Sequence, residues 1–157
     1  MVLRGVSVRP ATAGDAERLA EIVLEATEHQ GRLPAMTERE RAEWRDGFAE
    51  WSRRTVEEAS PGNVLSVVLL GGEIVGRLRA VREERGVRLA GIQLVPAVQG
   101  RGIGTSIILG LRRDHRPLFI NVDKDNDGAR RLYERLRFTL CGETADEYLY
   151  SWGELGG

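Results

Sequence analysis

Cysteine, lysine and histidine are nearly missing from this 157-residue chain, which has one Cys, one Lys and two His. A single thiol, Cys141, cannot close an intramolecular disulfide, so packing and hydrogen bonds have to hold the fold. No metal centre is expected either, because His, Cys and acidic residues do not cluster at ligand spacing. The apolar runs fall far short of the ~18 residues of a membrane-spanning helix. Met1 to Pro10 has neither the basic opening nor the apolar stretch of a secretory signal. These absences make the cytoplasm the expected compartment and a membrane an unexpected partner. Excess charge is missing too: a net charge of −1 and a pI of about 6.2 remove the basic footprint of a general nucleic-acid binder. Lys124 is the only lysine among 23 basic residues, so positive charge comes almost entirely from arginine, which by itself points to no function.

The chain does have 41% hydrophobic residues, enough for the core of one domain over 1–157. It also has 19 glycines, about 12% against a usual ~7%. Glycine weakens helices and strands, so an excess belongs where only glycine fits, in turns or where backbone meets ligand.

Val6 to Arg9 alternate apolar and polar before Pro10, a short strand. Thr12 and Asp15 have capping-box spacing, and Leu19, Ile22, Val23 and Ala26 form one apolar helical stripe ending near His29. Gly31 and Pro34 break it. A second capping box, Thr37 and Glu40, opens a helix with Trp44, Phe48 and Trp51 on one face, stopping before Pro61-Gly62. Val64 to Leu70, Glu73 to Arg82 and Val87 to Val95 read as a three-strand antiparallel meander turning at Gly71-Gly72 and at Glu83 to Gly86. On its middle strand Ile74, Gly76, Leu78 and Ala80 share one face, and Val75, Arg77, Arg79 and Val81 the other. A glycine-rich loop, a helix to about Leu111 and a strand from Leu118 to Val122 follow, a crossover that implies parallel pairing of the flanking strands. A helix from Asn126 to Arg137 carries Ala129, Leu132, Tyr133 and Leu136 on one stripe. Strands at Thr139 to Gly142 and Asp146 to Trp152 close the chain, with 153–157 as a mobile tail. The expected fold class is α+β, with a mixed, mostly antiparallel sheet flanked by helices.

Chemistry concentrates in the loop Gln99-Gly100-Arg101-Gly102-Ile103-Gly104-Thr105, between a strand and a helix. The first amides of a helix have no intrahelical acceptor and sit at the positive end of its dipole, so they bind phosphate oxygens where no Cβ blocks the approach. Arg101 and the hydroxyls of Thr105 and Ser106 can add donors. A nucleotide P-loop fails for want of a loop lysine. The dinucleotide fingerprint is approached by Gly100 and Gly102, with Asp123 about 20 residues on, but Thr105 stands at the third glycine and only one strand-helix-strand unit is available.

Together with the strand end Ile92-Gln93-Leu94-Val95-Pro96 and the run Asn126-Asp127-Gly128-Ala129-Arg130-Arg131-Leu132-Tyr133-Glu134-Arg135-Leu136-Arg137-Phe138, this loop resembles the GCN5-related N-acetyltransferase (GNAT) family. The family loop Gln/Arg-x-x-Gly-x-Gly/Ala is matched by Gln99, Gly102 and Gly104, and the element order fits over nearly the whole chain. The resemblance implies that the strand ending at Val95 splays from the strand Leu118 to Val122, and that the pantetheine arm of acetyl-CoA inserts between them. The backbone at Ile92 and Leu94 would pair with it, and the amide of Leu94 or Val95 would polarise the thioester carbonyl. Gln99, Gly100, Arg101, Gly102, Ile103, Gly104 and Thr105 would hold the pyrophosphate. Asn126 would touch the cofactor, and Tyr133 would be the general acid that protonates the departing thiol. The implied activity is acetyl transfer to a primary amine, by a protein that in this family often forms homodimers.

The residues also allow plainer roles. Asn126 is a good N-cap, and Tyr133 completes an apolar stripe. Asn126, Arg130 and Tyr133 at i, i+4 and i+7 share a side of the helix, within reach of one elongated ligand. Gly91 inside a strand marks either a bulge or close packing. Some relatives place a Glu where this chain has Gln93, which leaves the base unassigned and keeps a non-catalytic acyl-CoA-binding module as the alternative. His29 is either a proton relay or a surface residue, while Glu28 and Glu147 are either acceptor contacts or solvated. His115 and Cys141 read as structural, Cys141 as core packing. Arg137 stands where the family has a glycine to end the helix.

Overall fold

A computed structural model describes residues 5–58 and 62–153; the expected tail, apart from Gly153, and the expected helix stop at Pro61 fall outside the described residues. Its strands are β1 (Val6–Pro10), β2 (Asn63–Leu70), β3 (Glu73–Glu83), β4 (Gly86–Leu94), β5 (Leu118–Asp123), β6 (Thr139–Glu143) and β7 (Glu147–Trp152). Its helices are α1 (Ala16–His29), α2 (Glu38–Glu57), α3 (Ile103–Asp114) and α4 (Asp127–Arg135). One seven-stranded sheet has the order β1-β2-β3-β4-β5-β7-β6. All its neighbours are antiparallel except β4 and β5, which run parallel only from Val87 to Leu89 against Leu118 to Ile120. This is the expected mixed sheet, and the early parting of β4 from β5 opens the cleft described below.

The α1 stripe packs as its period requires: Leu19, Ile22, Val23 and Ala26 are all buried. Leu19 joins Ala11, Leu65 and Val67 in one cluster, whereas Val68, Leu78, Ile107 and Ile108 belong to the larger core that includes α3, β4 and β5. At the start of α1, the Asp15 carboxylate accepts from the Thr12 N–H and from Arg9, each at 2.8 Å. The Arg9 hydrogen bond is the main cause that holds the Asp15 carboxyl at about 2 against an ordinary 3.8. A lowered carboxyl stabilises the fold above its unfolded pKa, and this stabilisation is lost as the pH falls from about 4 toward 2. Urea unfolding should therefore show Asp15→Asn weaker than wild type by about 2 kcal/mol at neutral pH, with the gap closing toward pH 2.

The structure gives one expected face its partner and changes two expectations. The face Trp44, Phe48 and Trp51 is not core: α2 buries Ala49 and Ser52, while Trp44 and Phe48 stack at 5.3 Å and Trp51 stays 36% exposed. The Arg77 guanidinium lies 5.3 Å from the Phe48 ring centre, and that of Arg79 5.3 Å from Trp51, so the aromatic stripe roofs two cations. On β3, pairing skips Val75, and this bulge puts Val75 in the same core as Leu78, against simple alternation. Cys141 is likewise the skipped residue of a bulge on the edge strand β6 and is exposed, not buried.

Candidate active site

Backbone geometry first defines the cleft. In β4 the pairing with β3 skips Ala90, so a bulge adjoins Gly91 just where β4 leaves β5. The Val95 N–H donates to the Val75 carbonyl at 2.9 Å. Bonded and non-bonded pairs alternate along an antiparallel ladder. Gln93 and Gly91, opposite Arg77 and Arg79, therefore turn their backbone groups to β3, and Ile92 and Leu94 turn theirs to the gap beside β5. Of the two amides expected to serve a carbonyl, the one of Val95 is thus committed to the sheet and the one of Leu94 faces the cleft. The Gln99 side chain closes this corner by donating to the Leu94 carbonyl at 3.0 Å.

The glycine loop forms one end of this cleft, whose volume is about 740 Å³. Gly100 and Gly102 have φ of 78° and 80°, left-handed values that favour glycine, and Gly102 is the N-cap of α3. The amides of Ile103, Gly104 and Thr105 follow in the first turn, where the helix offers them no acceptor. A Cβ at Gly100 would meet nothing within 4 Å, and one at Gly104 only Leu94 Cδ1 at 3.8 Å. This open backbone cradle fits a diphosphate. Gln99, Gly100, Gly102, Ile103, Gly104 and Thr105 line the cleft; Arg101 is exposed outside the lining, and the arginines in the lining are Arg32 and Arg135, neither of which any motif in the sequence marks.

The opposite wall is α4, with Asn126, Ala129, Leu132 and Tyr133. Asn126 caps the helix by accepting from the Ala129 N–H at 3.3 Å. Arg130 does not share this side: it stacks on Tyr148 at 4.2 Å from the ring centre. Tyr133 is 6% exposed, and burial pushes its phenol up to about 12. It is anchored from behind. The Arg137 N–H donates to the Glu134 carbonyl and the Phe138 N–H to the Tyr133 carbonyl, both at 3.0 Å, the two bonds of a Schellman turn. The Phe138 ring then packs edge-on at 6.0 Å from Tyr133. Arg137 fills the glycine position of this turn with φ 69°. An L residue there is strained, so Arg137→Gly should raise stability by about 1 kcal/mol in thermal unfolding, with no change in the cleft.

A family model described as Acetyltransferase (GNAT) family matches residues 20–138, a span that includes β4, the glycine loop and α4. The chain belongs to the GNAT acetyltransferase family. Solved GNAT structures share its fold. An acetyltransferase from Thermus thermophilus has a TM-score of 0.75 at 19% identity, covering 97% of this chain and 99% of its own. The PaiA N-acetyltransferase from Thermoplasma acidophilum, in complex with coenzyme A, has a TM-score of 0.72 at 13% identity, covering 93% and 97%. An acetyl transferase from Salmonella typhimurium, described as modifying the N-terminal serine of a 50S ribosomal subunit protein, has a TM-score of 0.68 at 21% identity, covering 97% and 96%. No curated protein matches the chain.

On the remaining side of the GNAT cleft stand Gln93 from β4 and Gln30 and Arg32 from the connection between α1 and α2. Arg32 ties that connection to the end of β5 through Asp123 and, at 3.4 Å, Asp125. No sequence pattern marks Arg32, because its partners lie some ninety positions away. The other acceptor-side candidates are not in the lining: His29 is exposed, Glu28 pairs with Arg41 at 2.7 Å, and Glu147 accepts from Asn121 at 3.4 Å. His115 follows α3, outside the cleft lining. Among the described residues no group of three or more His, Cys, Asp or Glu could hold a metal ion, and no helix is long and apolar enough to cross a membrane.

Proposed function

We propose that this GNAT protein is an acetyl-CoA-dependent N-acetyltransferase that moves the acetyl group directly to a primary amine. The observation that carries the proposal is the meeting of three features in one cleft: the open backbone of Ile92 with the Leu94 N–H beside it, the amide cradle at the start of α3, and the buried Tyr133 phenol. Bound there, acetyl-CoA supplies a thioester activated for attack by nitrogen. The α3 amides hold the diphosphate, and the Ile92 backbone holds the pantetheine in register. The Leu94 N–H hydrogen-bonds the carbonyl oxygen as it becomes negative. Tyr133, protonated throughout the working range because its pKa is about 12, gives its proton to the sulfur as the C–S bond breaks. The amine has to arrive neutral, since β4 offers Gln93 and no carboxylate. An α-amine, with an ordinary pKa of about 8, meets this condition more readily than an alkylamine at about 10.4.

The test is release of CoA thiol from acetyl-CoA with a panel of amines, with the acetylated product identified by mass. The missing β4 carboxylate favours one rival, an acyl-CoA-binding module without turnover. Tight binding of acetyl-CoA with no product from any amine would establish the rival, and absence of any thermal shift with CoA would remove both.

A further inference from the structure

Among the described residues, Arg77 is a buried cation without a counter-ion. It is only 6% exposed, lies under Phe48 and Trp51, and among the described residues no carboxylate pairs with it. Its Nε is buried without a hydrogen-bond partner. The neighbouring charge is that of Arg79, another cation; burial first, and this second cation with it, lower the Arg77 pKa to about 10, which still leaves the group charged at neutral pH. An uncompensated buried charge is costly, and proteins rarely keep one unless something neutralises it.

Among the described residues its guanidinium donates one hydrogen bond, from Nη1 to Gln93 Oε1 at 2.8 Å. A guanidinium has no acceptor, so the amide oxygen of Gln93 must face Arg77 and the NH₂ must face elsewhere. Gln93 lines the cleft, which therefore receives a donor polarised by the cation behind it. Gly91 belongs to the same arrangement: a Cβ there would come within 2.9 Å of Arg77 Nη1. This wall repels an ammonium group and attracts an anion.

We propose that the acceptor amine also carries a carboxylate, which docks on the Gln93 amide with the Arg77 charge behind it. The proposal rests on the transfer reading above and assigns the substrate class of that same site. Arg77 acts through Gln93 and is a positioning residue. The same positive field lowers the pKa of the nearby amine and so takes part of the work that a β4 carboxylate would do.

The experiment compares peptide pairs that differ only in carboxylate against carboxamide, such as Glu-Gly amide against Gln-Gly amide, together with a polyamine. Wild type should prefer the carboxylate by about tenfold or more in kcat/KM. Arg77→Met should lose the preference through a raised KM for the acidic peptide, with KM for acetyl-CoA unchanged, and Arg77→Lys should keep part of it. Gln93→Glu, which neutralises Arg77 in place, covers the case in which Arg77→Met fails to fold, and should abolish the preference too. Equal use of both peptides, faster use of the polyamine, or a preference that survives both neutralising variants would overturn the proposal. If no amine is acetylated, the transfer reading fails and the anion site is judged by binding: N-acetylglutamate should raise the Tm of CoA-loaded protein more than N-acetylglutamine does. Equal shifts, or none, would overturn it.

Discussion

Replacing Tyr133 by phenylalanine is expected to lower kcat for acetyl transfer by about 100-fold, within the range that a positioned general acid contributes. That factor corresponds to about 2.7 kcal/mol of transition-state stabilisation. A thiolate with a conjugate pKa of about 8.5 is a fair leaving group by itself, so the loss should stay well short of abolition. Phenylalanine keeps the ring that packs against Phe138 and Tyr150. The hydroxyl makes no hydrogen bond to another described residue, so the variant should fold with wild-type stability and bind CoA normally. Because burial holds the phenol at about 12, wild-type kcat should show no loss assignable to this tyrosine up to about pH 10. Steady-state kinetics over pH, with a thermal shift for CoA, would read both. An unchanged kcat would leave Tyr133 only its place in the apolar stripe.

Two substitutions of Gly104, by alanine and by leucine, should separate folding from ligand binding. Gly104 lies in the first turn of α3 without a left-handed φ, and an added Cβ would meet only Leu94 Cδ1 at an ordinary 3.8 Å. The free protein should therefore accept alanine and gain up to about 1 kcal/mol from helix propensity. The family loop takes glycine or alanine at this position, so alanine should leave CoA binding within about threefold of wild type, whereas the larger side chain of Gly104→Leu fills space beside the α3 amides and should weaken CoA binding by about 10- to 100-fold. Thermal unfolding with and without CoA reads both: a higher Tm with a full ligand shift for Gly104→Ala, and a smaller ligand shift for Gly104→Leu. A full CoA shift in Gly104→Leu would take the cradle away from the diphosphate. Gly102 is a poorer probe, since its φ of 80° would add strain to any side chain and mix the two effects.

Much of the cleft could be read before folding because its parts are local. The loop from Gln99 to Thr105 has Gly100 and Gly102 where the left-handed backbone angle needs them, and Asn126 to Tyr133 form one turn-spaced set; neither depends on distant residues. Arg130 shows the limit of spacing: seven positions share a side only approximately, and the ring of Tyr148 drew it away from Asn126 and Tyr133. Trp44, Phe48 and Trp51 show another. Their period marks one face, but whether that face meets apolar core or cations depends on β3, and it meets Arg77 and Arg79.

By itself the sequence determined the order of elements, the two capping boxes, the glycine cradle and the membership of Tyr133 in a helix stripe, since each follows from interactions within a few residues. It also carried the resemblance that the family match over 20–138 supports. Tertiary structure alone decided which β4 amide is free, because the choice between Leu94 and Val95 turns on a ladder register set by bulges at Val75 and Ala90. It alone brought Arg77 behind Gln93, sixteen residues apart in the chain and 2.8 Å apart in space. Local patterns fix which chemistry a segment can present. Pairing between strands fixes which way it points, and in this protein that direction turns a plain glutamine into the donor facing the acceptor.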